Sequence, residues 1–204
     1  MKSRPPGDIP DPGERGVPRY SPRPFPTYRY VPGVHPHPVR EPTGHSYQPV
    51  LRLTRHAPWH PDDWKRLDDW LAGIDLFNFF YFWEAHETWE GLWATAERGG
   101  PAFLLLQGLI QVAAALLKVH MAVGSGARRL SSEGLRKLDR VAARHATLMG
   151  LDVGSLSRAL ARYFAPLEQG SLPVIGPAVP VLRLAGEARC NHLPGKPRGH
   201  RARG

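Results

Sequence analysis

Of the 22 prolines in this chain, 13 fall in residues 1–49, and only Pro61 and Pro101 lie between residues 60 and 165. A ring that fixes φ and removes a backbone donor interrupts helix and sheet interiors alike. Most of the packed structure is therefore expected in the proline-poor middle. That leaves residues 1–27 as a disordered proline-rich start and residues 28–59 as an irregular arm rich in Tyr and His. Residues 60–167 are the expected helical domain, and residues 168–204 an extended segment with a basic tail.

Within 60–167, apolar residues recur at helical spacing. A first helix is predicted from Pro61, with Asp62 and Asp63 in its first turn and Trp64, Leu67, Trp70, Leu71 and Ile74 on its stripe, ending near Phe77-Asn78. A second runs from Phe82 to Ala96, with Phe82, Ala85, Trp89, Leu92, Trp93 and Ala96 on one face. His86 falls at the edge of that face with Glu90 one turn below, while Glu84 and Glu87 share a different face. A third, Pro101 to Val123, is apolar almost all round. Gln107, Gln111 and Lys118 interrupt it on one narrow stripe, and its longest apolar run falls short of the roughly 18–20 residues of a span. It reads as the buried axis of a bundle, with no transmembrane segment.

A fourth helix is predicted over Gly126–Met149, with Ala127, Leu130, Leu138, Val141, Ala142 and His145 inward and a basic exterior. A fifth follows the N-cap Asp152, turns Val153, Leu156, Leu160, Tyr163 and Phe164 inward, and ends at Pro166. The expected fold is all-α: a compact bundle of about five helices around a nearly wholly apolar central one. Pro49-Val50-Leu51-Arg52-Leu53 recurs as Pro180-Val181-Leu182-Arg183-Leu184, two short extended segments that would pair or dock in parallel grooves.

The net charge of +9 divides as +3 over residues 1–47, +2 over 48–186 and +4 over 187–204. The basic excess sits at the two ends, so nucleic-acid binding, through the tails and the basic helix-four face, ranks last among the functions considered. A single cysteine, Cys190, excludes an intrachain disulfide and a cysteine metal cluster. With no apolar leader at the start, a cytoplasmic protein is expected.

Chemistry concentrates in Glu84-Ala85-His86-Glu87 and Glu90. Carboxylates and an imidazole within two helical turns can ligate a divalent metal or relay protons when buried together. A zinc-hydrolase helix needs two histidines four apart, and ferritin-like centres need Glu-x-x-His on two helices. This chain offers neither, so a metal would need further ligands, for which His37, His45 and His120 qualify by residue type. The alternative is a structural polar network in which Glu84 or Glu87 bonds Gln107 and Gln111 inside the bundle. Gly124-Ser125-Gly126 before Arg128 and Arg129 reads as a tight turn rather than an anion site. Nucleophile-elbow and dinucleotide motifs are not found.

Several segments together resemble the bacterial family known as domain of unknown function 309. They are Leu76-Phe77-Asn78, Trp83-Glu84-Ala85-His86-Glu87-Thr88-Trp89-Glu90 with Trp93, Gln107-Gly108-Leu109-Ile110-Gln111-Val112-Ala113-Ala114-Ala115 and Gly126-Ala127-Arg128-Arg129-Leu130, within residues 64–160. The resemblance implies a small all-α bundle and no established activity, substrate or cofactor. Its characteristic polar residues map onto Asn78, Glu84, His86, Glu87, Gln107 and Gln111. Two departures stand out: Phe80 replaces a glycine common after the Phe-Asn pair, and Gly124-Ser125 replaces a Gly-Asn turn.

Two functions are carried forward. One is a module binding a small ligand or a protein, using Asn78, Glu90, Gln107, Gln111, His37 and His45 around the cluster. The other is a metal-assisted hydrolase or proton-transfer enzyme using Glu84, His86 and Glu87. The enzyme reading requires His37 or His45 of the arm to approach Glu84 or Glu87.

Overall fold

The structure, a computed structural model, describes residues 16–48 and 57–186. Among these lie five α-helices: α1 (Asp68–Asn78), α2 (Phe82–Thr95), α3 (Pro101–His120), α4 (Gly124–Ala142) and α5 (Val153–Phe164). Two strands, β1 (Thr147–Leu148) and β2 (Leu151–Asp152), and 3-10 helices at Pro61–Arg66 and Ala165–Gln169 complete the described elements. The architecture is the expected all-α one, with a hairpin of two residues per strand as its sheet.

Helix α3 is the axis. Leu105, Leu106, Leu109, Val112, Ala113, Ala115 and Leu116 are fully buried, and α2 and α4 pack along it. By length and composition α3 does pass for a membrane span, with mean hydropathy 1.9 over its most apolar window, despite its polar interruptions. The bundle covers 61% of that window. Helices α3 and α4 come close enough at Gly108 and Gly134 that a Cβ on Gly134 would lie 2.9 Å from the Gly108 carbonyl oxygen.

Three predicted boundaries move. The first helix is two: Leu67, at φ −82 and ψ 92, separates the 3-10 helix from α1. Asp68 and Asp69 then start α1, where acids suit the positive end of the helix dipole. The third helix stops at His120, and α4 starts at Gly124 after Ala122 turns at φ 58. The fourth ends at Ala142 rather than Met149, because residues 147–152 form the β1–β2 hairpin. Its two-residue loop, Met149 (φ 48) and Gly150 (φ 79), has the positive φ values of a type I′ turn. Trp70 Nε1 donates to the Met149 carbonyl at 3.2 Å and ties that turn to α1. Helix α5 follows as expected: Asp152 caps it, accepting from Ser155 N at 2.8 Å.

Disorder over residues 1–27 is corrected in part. Within 16–27, Tyr20 and Ser21 are buried and bonded to Asp75 of α1, so this segment joins residues 28–48 in one arm, residues 16–48. Towards the C-terminus, Val179, Leu182 and Leu184 are buried, and Leu184 bridges Leu151 in antiparallel fashion. The second copy of the repeat therefore docks on the bundle. The first copy, Cys190 and the basic tail lie outside the described residues.

Candidate functional site

Helices α1 and α2 meet at Phe79-Phe80-Tyr81, and the arm is fastened to this corner. Phe80 adopts φ 68, the left-handed region that favours glycine, at the position where the resemblance expects glycine. Its ring is 2% exposed and packs 5.8 Å from Phe82, burial that offsets the backbone cost. From the arm, Phe25 stacks on Tyr81 at 5.0 Å and packs on Phe79 at 4.7 Å, with the Arg19 guanidinium 4.1 Å above Phe25. Arg29 Nε donates to the Phe79 carbonyl at 2.9 Å.

Two buried carboxylates hold the arm. Asp75 on α1, 1% exposed, accepts from Arg19 Nε at 3.0 Å, Tyr20 N at 2.9 Å and Ser21 N at 2.8 Å. Glu84 on α2, 4% exposed, accepts at Oε1 from Tyr30 N at 2.9 Å, and His45 Nε2 lies 3.0 Å from the same oxygen. Its Oε2 is buried without a hydrogen-bonding partner. His45 is completed by Ser46 Oγ, 2.8 Å from Nδ1, and by the Tyr28 ring at 4.6 Å. A neutral ring carrying the Nε2 proton donates to Glu84 and accepts from the Ser46 hydroxyl; a protonated ring donates to both. Gly44 sets this loop, since a Cβ there would lie 2.3 Å from the Pro38 carbonyl oxygen.

Between arm and helices lies a cavity of about 360 Å³. Phe25, Pro26, Val39, His45 and Ser46 line it from the arm, Ala72, Asp75 and Leu76 from α1, and Trp83, Glu84, Glu87 and Thr88 from α2.

The arm thus brings His45 to Glu84. His37 goes elsewhere: its ring packs 5.6 Å from Trp83 and 5.2 Å from Tyr30. His120, half-buried at the end of α3, lies beside His35 and Arg29, and burial lowers its pKa. His86, Glu87 and Glu90 form a separate, more exposed group. His86 Nδ1 is 3.4 Å from Glu87 Oε1, and Nε2 is 3.8 Å from Glu90 Oε1. Their ligand atoms lie within 4.8 Å of one another, a nitrogen and two oxygens suited to a divalent cation. Glu87 belongs both to this group and to the cavity wall.

The expected Glu–Gln network inside the bundle is corrected. Gln111 Nε2 donates to Glu133 Oε2 at 2.9 Å, and Lys137 Nζ donates to Gln111 Oε1 at 2.8 Å. Charged residues of α4 supply the partners, because Gln111 of α3 faces that helix. Asn78 binds the C-terminal segment: Nδ2 donates to the Leu182 carbonyl and Oδ1 accepts from Leu182 N, each at 2.8 Å. The residues that sequence reasoning missed are Asp75 and Arg19. A signal existed, since Leu71, Ile74, Asp75 and Asn78 share one helical stripe, and an acid on an apolar stripe needs a partner.

Burial pushes both carboxyls up, Asp75 against the opposing hydrogen bonds of Ser21 and Tyr20 and the Arg19 charge, Glu84 against those of Tyr30 and His45. A folded-state pKa above the unfolded one means the folded protein keeps protons that the unfolded chain has released. Stability from these groups therefore falls as pH rises from about 4, the ordinary carboxylate range, through the raised values. Melting temperatures from pH 4 to 7 should show wild type losing ground to Glu84→Gln as pH rises. A constant gap would contradict the raised Glu84 pKa.

A family model described as Domain of unknown function (DUF309) matches residues 70–130, from α1 into α4. This is a shorter stretch than the 64–160 over which the motifs suggest a resemblance. No curated protein matches the chain.

Proposed function

We propose that this chain, whose residues 70–130 match the model of the domain of unknown function 309 family, is a binding module for a small ligand, and that its site is the cavity beneath the arm. The carrying observation is the construction of that cavity. Two buried carboxylates, Asp75 and Glu84, hold an irregular segment over a space of about 360 Å³ instead of letting the arm collapse into it. That volume sits at the small end of the roughly 300–1,000 Å³ typical of ligand sites. Apolar walls with a few convergent polar groups are the usual form of such sites.

The test is a fragment screen followed by protein-observed NMR. Shifts clustered on Trp83, Thr88 and His45 are the expected result. Hits confined to other surfaces, or no hits, would refute the reading.

A second reading, a metal-assisted hydrolase or proton-transfer enzyme, is favoured by one observation: Glu87 joins the His86–Glu87–Glu90 group to the cavity wall. A cation there would sit at the cavity rim and polarise a bound carbonyl or a water. Elemental mass spectrometry of tag-free protein tests it. Near-stoichiometric metal that disappears in His86→Ala is the expected result on this reading; equal content in both proteins removes it. A bacterial, cytoplasmic setting belongs to the same proposal and rests on the family resemblance and the single cysteine.

A further inference from the structure

Ser46, His45 and Glu84 form one hydrogen-bonded chain in the cavity wall. An ionised Glu84 can only accept, so it takes the Nε2 proton of His45 at 3.0 Å. Nδ1 of the neutral ring then keeps its lone pair and faces the Ser46 hydroxyl at 2.8 Å. The imidazole is held in place, 4% exposed, with the Tyr28 ring 4.6 Å away. Ser46 itself is exposed. An accessible hydroxyl on an oriented imidazole, itself bonded to a buried carboxylate, is the arrangement that activates a serine as a nucleophile. The arm has its anchors without that hydroxyl, in Tyr30 on Glu84 and in three nitrogens on Asp75.

Resting on the ligand-binding reading above, we infer that the cavity takes a small neutral ester and hydrolyses it, with Ser46 as nucleophile, His45 as general base and Glu84 as the positioning residue. Ser46 Oγ attacks the carbonyl carbon while its proton passes to His45 Nδ1, and Glu84 stabilises the imidazolium. The bond to the alcohol oxygen breaks, that oxygen takes the proton from Nδ1, and the acyl group stays on Ser46. Water then attacks the acyl carbon and gives a proton to Nδ1. The Ser46 oxygen leaves with that proton and the acid is released. Thr88 and Arg23 in the wall carry donors for the oxygen that gains charge. Pro26, Ala72 and Leu76 give a short acyl chain an apolar surface, and Glu87 in the same wall disfavours an anionic one.

A fluorophosphonate on the full chain tests this, because Ser46 Oγ would displace its fluoride and keep the phosphonyl group. Mass spectrometry with peptide mapping should find the adduct on Ser46 and none in Ser46→Ala. Labelling should slow by roughly a hundredfold or more in His45→Gln. In Glu84→Gln the rise of the labelling rate with pH should move to lower pH, since the carboxylate that favours a protonated ring is gone. No adduct, or one that persists in Ser46→Ala, overturns the proposal. Wild-type labelling in His45→Gln overturns it too, leaving Ser46 merely exposed, and an unmoved pH profile removes Glu84 from it. Should either variant fail to fold, the wild-type profile decides. A rate that levels off by about pH 9 supports a histidine base, and one still climbing with hydroxide overturns it. Failure here with fragment hits in the cavity leaves the binding module standing; failure of both removes the site.

Discussion

Asp75→Ala is expected to lower stability by about 3–5 kcal/mol and to free the N-terminal arm, a fall in melting temperature of roughly 6–20 °C for a chain of this size. The carboxylate accepts from three nitrogens of the arm, those of Arg19, Tyr20 and Ser21. Alanine strands the two backbone N–H groups in a buried site and leaves the Arg19 side chain, 12% exposed, as an uncompensated cation. Removing one partner of a buried pair is the costly case, because the other charge stays buried. Asparagine keeps one acceptor oxygen and turns an NH₂ towards donors, so Asp75→Asn should fall nearer to alanine than to wild type. Arg19→Met strands a buried charge too, that of Asp75, but leaves the Tyr20 and Ser21 N–H groups bonded to it, so its cost should be smaller. Chemical denaturation measures the energies, and trypsin reports the arm, which it can cut after Arg19 and Arg29. Faster cleavage at these sites with the bundle intact is the expected pattern. A loss under about 1 kcal/mol with unchanged cleavage would mean that Asp75 does not hold the arm.

The contrast between what the residues disclose and what they conceal follows from the range of the interactions. Helix α2 ends within one residue of its predicted boundary, and Ala85, Trp89 and Leu92 are buried on the predicted face. That face is a local property, fixed by one period. The break at Leu67 was hidden because Pro61, Trp64 and Leu67 stand three apart, a spacing that a 3-10 turn and an α-helix share over so short a run. The hairpin was hidden because Met149-Gly150 lacks the Asn-Gly or Asp-Gly pair that announces a type I′ turn, while Leu148 and Leu151 fit a continuing helical pattern equally well.

The site divides in the same way. Glu84 was legible as chemistry, since few acids lie beside so many aromatic residues, but its closest side-chain partner is 39 residues away in an arm with no periodicity. Tyr20 is 55 residues from Asp75, a separation that no helical period encodes. The enzyme reading groups Glu84, His86 and Glu87, although the helical period already sets His86 with Glu90 and apart from Glu84. In the structure Glu84 turns under the arm while His86 faces Glu90, because positions two apart on a helix diverge by about 200°.

Asn78 makes the same kind of clamp at the other end of the chain, and Asn78→Ala should cost about 2–4 kcal/mol. Its amide satisfies both backbone groups of Leu182 at 2.8 Å, as a neighbouring strand would. Alanine leaves a buried N–H and a buried C=O without partners, at about 1–3 kcal/mol for each group. Asn78→Asp is the sharper variant. It keeps an acceptor for the Leu182 N–H but sets a second oxygen against the Leu182 carbonyl, so it should lose most of what alanine loses despite the same size. Hydrogen exchange checks the location: the Leu182 amide should lose protection in both variants, with the α3 amides unchanged. The two clamps also meet, because the Tyr20 hydroxyl accepts from Leu184 N at 3.0 Å. Releasing the C-terminal segment removes a donor from the phenol that sits beside Asp75. Asn78→Ala and Asp75→Ala should therefore be non-additive, the double variant losing less than the sum of the singles by at least about 0.5 kcal/mol. Strict additivity would mean that the two chain ends dock independently, and that the cavity under the arm does not depend on the segment that Asn78 holds.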